Sequence, residues 1–110
     1  MDSSLFSRVV PAEQRIVEKY IAERPVKLGD LAKELGLIVV RSTLGARISG
    51  QIMPSTDAPS GFEIKLNRYD SPERQRFTLA HEIAHYLLHR DSIGNGVFDN
   101  VLYRSNLSSR

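Results

Sequence analysis

Arg76-Phe77-Thr78-Leu79-Ala80-His81-Glu82-Ile83-Ala84-His85-Tyr86-Leu87-Leu88-His89 is the stretch on which the reading of this chain turns. Its centre, His81-Glu82-Ile83-Ala84-His85, holds two of the three histidines in the protein. At 3.6 residues per turn, positions four apart stack one above the other, so both imidazoles point the same way and offer a metal two nitrogen ligands from one rigid element. Glu82, one residue after the first histidine, lies on the flank of that face, where a carboxylate reaches a metal-bound water without being a ligand. Zn²⁺ is the expected cofactor, and hydrolysis of a peptide bond the expected chemistry.

Working outward, the flanks support a helix. Ser71-Pro72-Glu73 reads as its start, with a hydroxyl N-cap, proline at the first helical position and an acid that suits the dipole. Phe77, Ala80, Ala84 and Leu87-Leu88 recur at helical spacing as an apolar stripe, with Ile83 close beside it. Thr78, His81 and His85 form a narrow polar strip next to that stripe. Buried imidazole without a partner is costly, so the strip calls for one.

Upstream, Pro11 to about Arg24 reads as a helix with Ile16, Tyr20 and Ile21 on one face, closed by Pro25. Leu28 to Leu35 reads as a second, shorter helix with Gly36 as its C-terminal cap. Leu37-Ile38-Val39-Val40 fits a strand. Ala46 to Ile52 alternates loosely, with Ile48, Gly50 and Ile52 on one side, and Phe62, Ile64 and Leu66 alternate cleanly. The turn-rich Pro54 to Ser60 between these two runs predicts an antiparallel hairpin. After His89 periodicity is lost, and Gly94-Asn95-Gly96 marks a mobile loop.

The expected fold class is therefore α+β: N-terminal helices, then a three-stranded, mostly antiparallel sheet packed on the motif helix. One domain is expected over residues 1–110, with an N-terminal tail at 1–10 and a loop-rich segment at 90–110. An exposed edge at Ala46–Ile52 or Phe62–Leu66 would hold an extended substrate beside the metal.

Composition narrows the classes of function. A chain of 110 residues supports one modest core, and 41% apolar with 25% charged residues is ordinary for a globular protein. No run of about eighteen apolar residues exists, so no membrane association is expected. Met1-Asp2-Ser3-Ser4-Leu5-Phe6 lacks the basic start and apolar core of a signal peptide, and cysteine is absent, which fits a cytoplasmic location. A net charge of +2 with scattered basic residues gives no reason to expect direct nucleic-acid binding.

The motif helix resembles the active-site helix of the ImmA/IrrE family of bacterial metallopeptidases. That family's run is Arg-x-Arg-Phe-Thr-(Leu/Ile)-Ala-His-Glu-(Leu/Ile)-(Gly/Ala)-His-x-(Leu/Ile)-(Leu/Met)-His, and Arg74-Gln75-Arg76 fits its front end. The order of elements upstream also matches, so the resemblance spans roughly residues 10 to 90. It implies a compact zincin of the gluzincin type, bacterial and cytoplasmic. It also implies a protein substrate, a DNA-binding transcriptional repressor that is cleaved or inactivated in stress response or mobile-element control.

One departure is evident. The family's third ligand is a glutamate in a later Glu-x-x-Ala-Asn-x-Phe-Ala pattern, and this chain has no glutamate after Glu82. The expectation is a chain truncated before that helix, with its third ligand unknown. Asp91 and Asp99 are the weak candidates within it. Asp91 has the spacing of a metzincin ligand but lacks the glycine such proteins need where Leu88 stands. Asp99 lies on the looser segment and could reach. His89 is about 12 Å along the helix axis from His81, too far for one tetrahedral ion to take all three histidines, and is read as structural. Tyr86, Tyr103 and His89 could stabilise an oxyanion by chemistry alone.

Two other readings compete. A catalytically incomplete zincin fragment could act by protein binding. A helix-turn-helix could begin at Leu31-Ala32-Lys33-Glu34-Leu35-Gly36, though Ile38-Val39-Val40 disfavours the recognition helix that reading needs.

Overall fold

The computed structural model describes residues 7–100. Helix α1, Pro11–Ile21, starts at a proline that needs no hydrogen-bonded N–H there. It ends three residues before Arg24, because the chain tightens after Ile21: the Glu23 N–H donates to the Tyr20 carbonyl, a 3₁₀-type closure. Val17 is its buried residue, with Ile16 and Tyr20 half-buried against the core and Ile21 exposed.

Helix α2, Leu28–Glu34, closes in a Schellman motif. Gly36 N–H donates to Lys33 O and Leu37 N–H to Ala32 O, both at 2.9 Å, with Gly36 at φ +87°. The chain then turns directly into β1, Ile38–Ser42. A strand there leaves no recognition helix after α2, so the helix-turn-helix alternative is removed.

Strands β2, Gly50–Pro54, and β3, Phe62–Asn67, form the expected antiparallel hairpin, with Ile52 opposite Ile64. Two features of the sheet differ from expectation. It has four strands in the order β1-β3-β2-β4, and β1 runs parallel to β3. The alternation of apolar residues fixes which face of a strand is buried, not which neighbour it takes, and here β1 and β2 lie on opposite sides of β3. The fourth strand is β4, Val97–Asp99, which pairs antiparallel with β2 inside the segment expected to be loop-rich. A three-residue strand is too short to show a period of two. The chain returns to the sheet through Ile93, which is buried in the core, and Gly96 at φ +139°; a Cβ on Gly96 would press on Met53 and Gln51 at 3.3 Å. The outer strands are thus β1 and β4, and the two segments expected to offer an open edge are both inside the sheet.

Helix α3, Pro72–His89, lies across β2 and β3. Ser71 caps it as expected, its hydroxyl accepting from the Arg74 N–H at 3.1 Å. The face it buries is not the anticipated stripe. Leu79, Ile83 and Tyr86 enter the core, together with Thr78 and Glu82, whereas Phe77, Ala80 and Ala84 face outward. Two apolar stripes overlap on this helix, and the sheet selects the one that carries the polar pair. A 3₁₀ turn at Arg90–Ser92 follows. Glu13 of α1 ties the helix end down: it accepts from Tyr86 Oη at 2.9 Å and pairs with the Arg90 guanidinium, which stacks 4.0 Å over the Tyr86 ring.

Candidate metal centre

The site is assembled where α3 meets β2 and β4. His81 and His85 project from one side of α3, their rings edge to face with centroids 4.8 Å apart. Asp99, the last residue of β4, reaches both. Its Oδ1 lies 3.5 Å from His81 Nε2, and its Oδ2 lies 3.5 Å from His85 Nε2. One donor atom from each of the three falls within 4.8 Å of the others.

Asp99 is held there by backbone. It sits opposite Gly50 in the β2–β4 pair, and its carbonyl accepts the Ser49 N–H at 2.8 Å. Ser49 is in turn fixed through its own carbonyl to the Asn67 N–H at 2.9 Å. The Asn67 side chain, buried at the end of β3, donates to the Ile48 carbonyl at 2.8 Å and accepts from the Tyr69 N–H at 3.0 Å. The turn before β2, and so the register of Asp99, is stapled from β3.

Glu82, on the flank of the same face, points into the helix–sheet interface beside Asp99 and is fully buried. Gly50 makes this possible. A Cβ at Gly50 would stand 2.5 Å from Thr78 Cγ2, 3.1 Å from Glu82 Oε2 and 3.2 Å from the Lys65 carbonyl oxygen. Only a residue without a side chain lets the helix come this close. Burial first, and then the neighbouring Asp99 carboxyl, push the Glu82 carboxyl up to about 9.

The donor set fits a cation. Thr78 Oγ1, both Glu82 oxygens and Asp99 Oδ2 are buried without a hydrogen-bond partner, a concentration of acceptors beside two imidazoles. Two ligands on a tetrahedral zinc, with bonds of about 2.0–2.1 Å, lie roughly 3.4 Å apart, and each histidine Nε2 lies 3.5 Å from one or the other of the two Asp99 oxygens. Two nitrogens and one carboxylate oxygen also match the donor types of hydrolytic zinc sites.

The remaining residues singled out from the sequence fall elsewhere. Asp91 is exposed on the 3₁₀ turn, beside Arg8 and Leu88, and is not part of the group. His89 is exposed, its ring 5.8 Å from that of His85. The Tyr86 hydroxyl is committed to Glu13 within the core. Tyr103 lies outside the described residues. The sequence groups Thr78 with His81 and His85 but gives Gly50 no place in the site, although a glycine on the apolar side of an alternating strand already signals a close backbone approach.

Residues 56–102 match the family model described as the IrrE N-terminal-like domain, peptidase M78. This is the ImmA/IrrE family that the sequence resembles. The match begins in the β2–β3 connection and contains His81, Glu82, His85 and Asp99, so this segment is similar to a metallopeptidase domain. No curated protein and no solved structure matches the chain. Among the described residues, no helix is long and apolar enough to cross a membrane.

Proposed function

We propose that the chain is a zinc-dependent peptidase domain of ImmA/IrrE type, with His81, His85 and Asp99 holding the ion and Glu82 as the proton carrier. The observation that carries this reading is the meeting of three ligand-type atoms within 4.8 Å, beside the buried carboxyl of Glu82. When bound, the ion supplies Lewis-acid polarisation of the scissile carbonyl and a lowered pKa for the attacking water. Glu82 takes the proton of that water and passes it to the leaving amine. Its carboxylate form, disfavoured by burial, would be favoured by the charge of an ion held by His81, His85 and Asp99.

An extended substrate would lie along β4, the outer strand beside the site, rather than along β2 or β3. From the family resemblance, the substrate is a DNA-binding repressor, in the cytoplasm of a bacterium, in stress response or mobile-element control.

The test is cleavage of a panel of purified repressors by the zinc-loaded chain, beside Glu82→Gln and a chelated sample. Cleavage by the wild type alone supports the reading. Cleavage that survives chelation or the Gln variant rejects it. Binding without cleavage by the wild type would turn it into the incomplete-fragment reading.

A further inference from the structure

We propose that Thr78 is a positioning residue for Glu82, its hydroxyl donating a hydrogen bond to the carboxylate that the proposed reaction needs. The inference deepens the peptidase reading and rests on it for its catalytic consequence, though not for the contact itself. Five buried side-chain atoms lack a partner among the described residues: Asp70 Oδ2, Thr78 Oγ1, both Glu82 oxygens and Asp99 Oδ2. Four are carboxyl oxygens, which in the charged form only accept. Thr78 is the single member of this set that always carries a hydrogen to give.

Placement agrees with this chemistry. Thr78 is one turn before Glu82 on the same face of α3, and both side chains are fully buried. Thr78 Cγ2 and Glu82 Oε2 flank the same point, the place a Gly50 side chain would occupy, at 2.5 and 3.1 Å from it. The hydroxyl shares its carbon with that methyl. A helical threonine populates two rotamers, so a rotation about χ1 swings Oγ1 without disturbing the backbone. In helices the hydroxyl commonly satisfies itself on a preceding carbonyl; here it is left unused. A charged carboxylate in a site from which water is excluded holds one orientation only if a donor fixes it.

Two substitutions separate the hydroxyl from the shape. Thr78→Val keeps the volume and the methyl that touches Gly50 but loses the donor. Thr78→Ser keeps the donor and loses the methyl. The full chain, loaded with zinc, is compared by the ¹³C resonance of the Glu82 carboxyl carbon, assigned through Glu82→Gln, and by kcat and KM on a cleaved repressor.

The expected result is that Val moves the resonance and lowers kcat by roughly ten- to a hundredfold, the value of one hydrogen bond to a charged group. KM and zinc affinity stay unchanged in Val, and Ser resembles the wild type in every readout. A resonance unmoved in Val overturns the proposal. So does a kcat lost in Ser and kept in Val, the pattern of a residue that serves by packing alone. If the wild type cleaves nothing, the peptidase reading fails by itself, and the carbon resonance still decides whether the hydrogen bond exists.

Discussion

Gly50 and Glu82 are in contact across the helix–sheet interface, the Glu82 Oε2 atom lying 3.1 Å from where a Gly50 Cβ would be. A methyl there would also meet Thr78 Cγ2 at 2.5 Å and a backbone carbonyl at 3.2 Å, so neither side can yield freely. Gly50→Ala is expected to destabilise the chain by about 1–3 kcal/mol, the usual cost of overpacking, in urea unfolding. Adding Thr78→Ser removes the tightest of the three contacts and should recover part of the loss. Additive losses in the double variant would contradict the geometry.

The three donors should act as one set toward a cation. His81→Ala, His85→Ala and Asp99→Ala are each expected to weaken zinc binding by roughly tenfold or more, since even outer-sphere partners of a metal cost that much. Asp91→Ala, on the exposed turn, should leave affinity unchanged. Calorimetric titration of the four variants decides it, and an Asp99→Ala protein that binds zinc like the wild type would remove Asp99 from the site.

Glu82 also makes the chelated protein sensitive to pH. Its carboxyl holds a proton up to about 9 when folded, against an ordinary value of 4.5. Between those values the folded state binds more protons than the unfolded one, so stability declines as pH rises from 4.5 to 9 and the contribution is fully present only below that window. Glu82→Gln cannot titrate and should lose this downward slope. Unfolding curves across the window, with chelator present, would show parallel profiles for the two proteins if the burial had no such effect.

Away from the site, Glu13 accepts from both Tyr86 and Arg90 and so binds the first helix to the end of the motif helix. Tyr86→Phe leaves one Glu13 oxygen without its donor and is expected to cost about 1–3 kcal/mol of stability, with zinc affinity untouched. Chemical unfolding beside a zinc titration separates the two effects.

Much of this arrangement is legible in the residues. Ser71-Pro72 announces the motif helix, Gly36 the end of its predecessor, and the alternation of Phe62, Ile64 and Leu66 the hairpin, because each rests on interactions within a few residues. The spacing of His81 and His85 places both rings on one side by helix geometry alone. What escaped is long-range. The outward turn of Phe77 and Ala80 could not be foreseen, because the helix carries polar groups at Thr78 and Glu82 that belong inside. A sequence pattern assigns such residues to the surface. Asp99 was one of two carboxylates that could reach; only the pairing of β4 with Gly50 separates it from Asp91.

The shortness of β4 has a kinetic meaning. Three residues, hydrogen-bonded to a single neighbour at the margin of the sheet, form the kind of element that detaches long before a core unfolds. When it detaches, Asp99 leaves with it, while His81, His85 and Glu82 stay fixed on an eighteen-residue helix anchored by the core. The centre is therefore built from one wall anchored in the core and one wall held by a short pair of strands. A cation or an extended peptide bound to the second wall would lengthen the life of the centre.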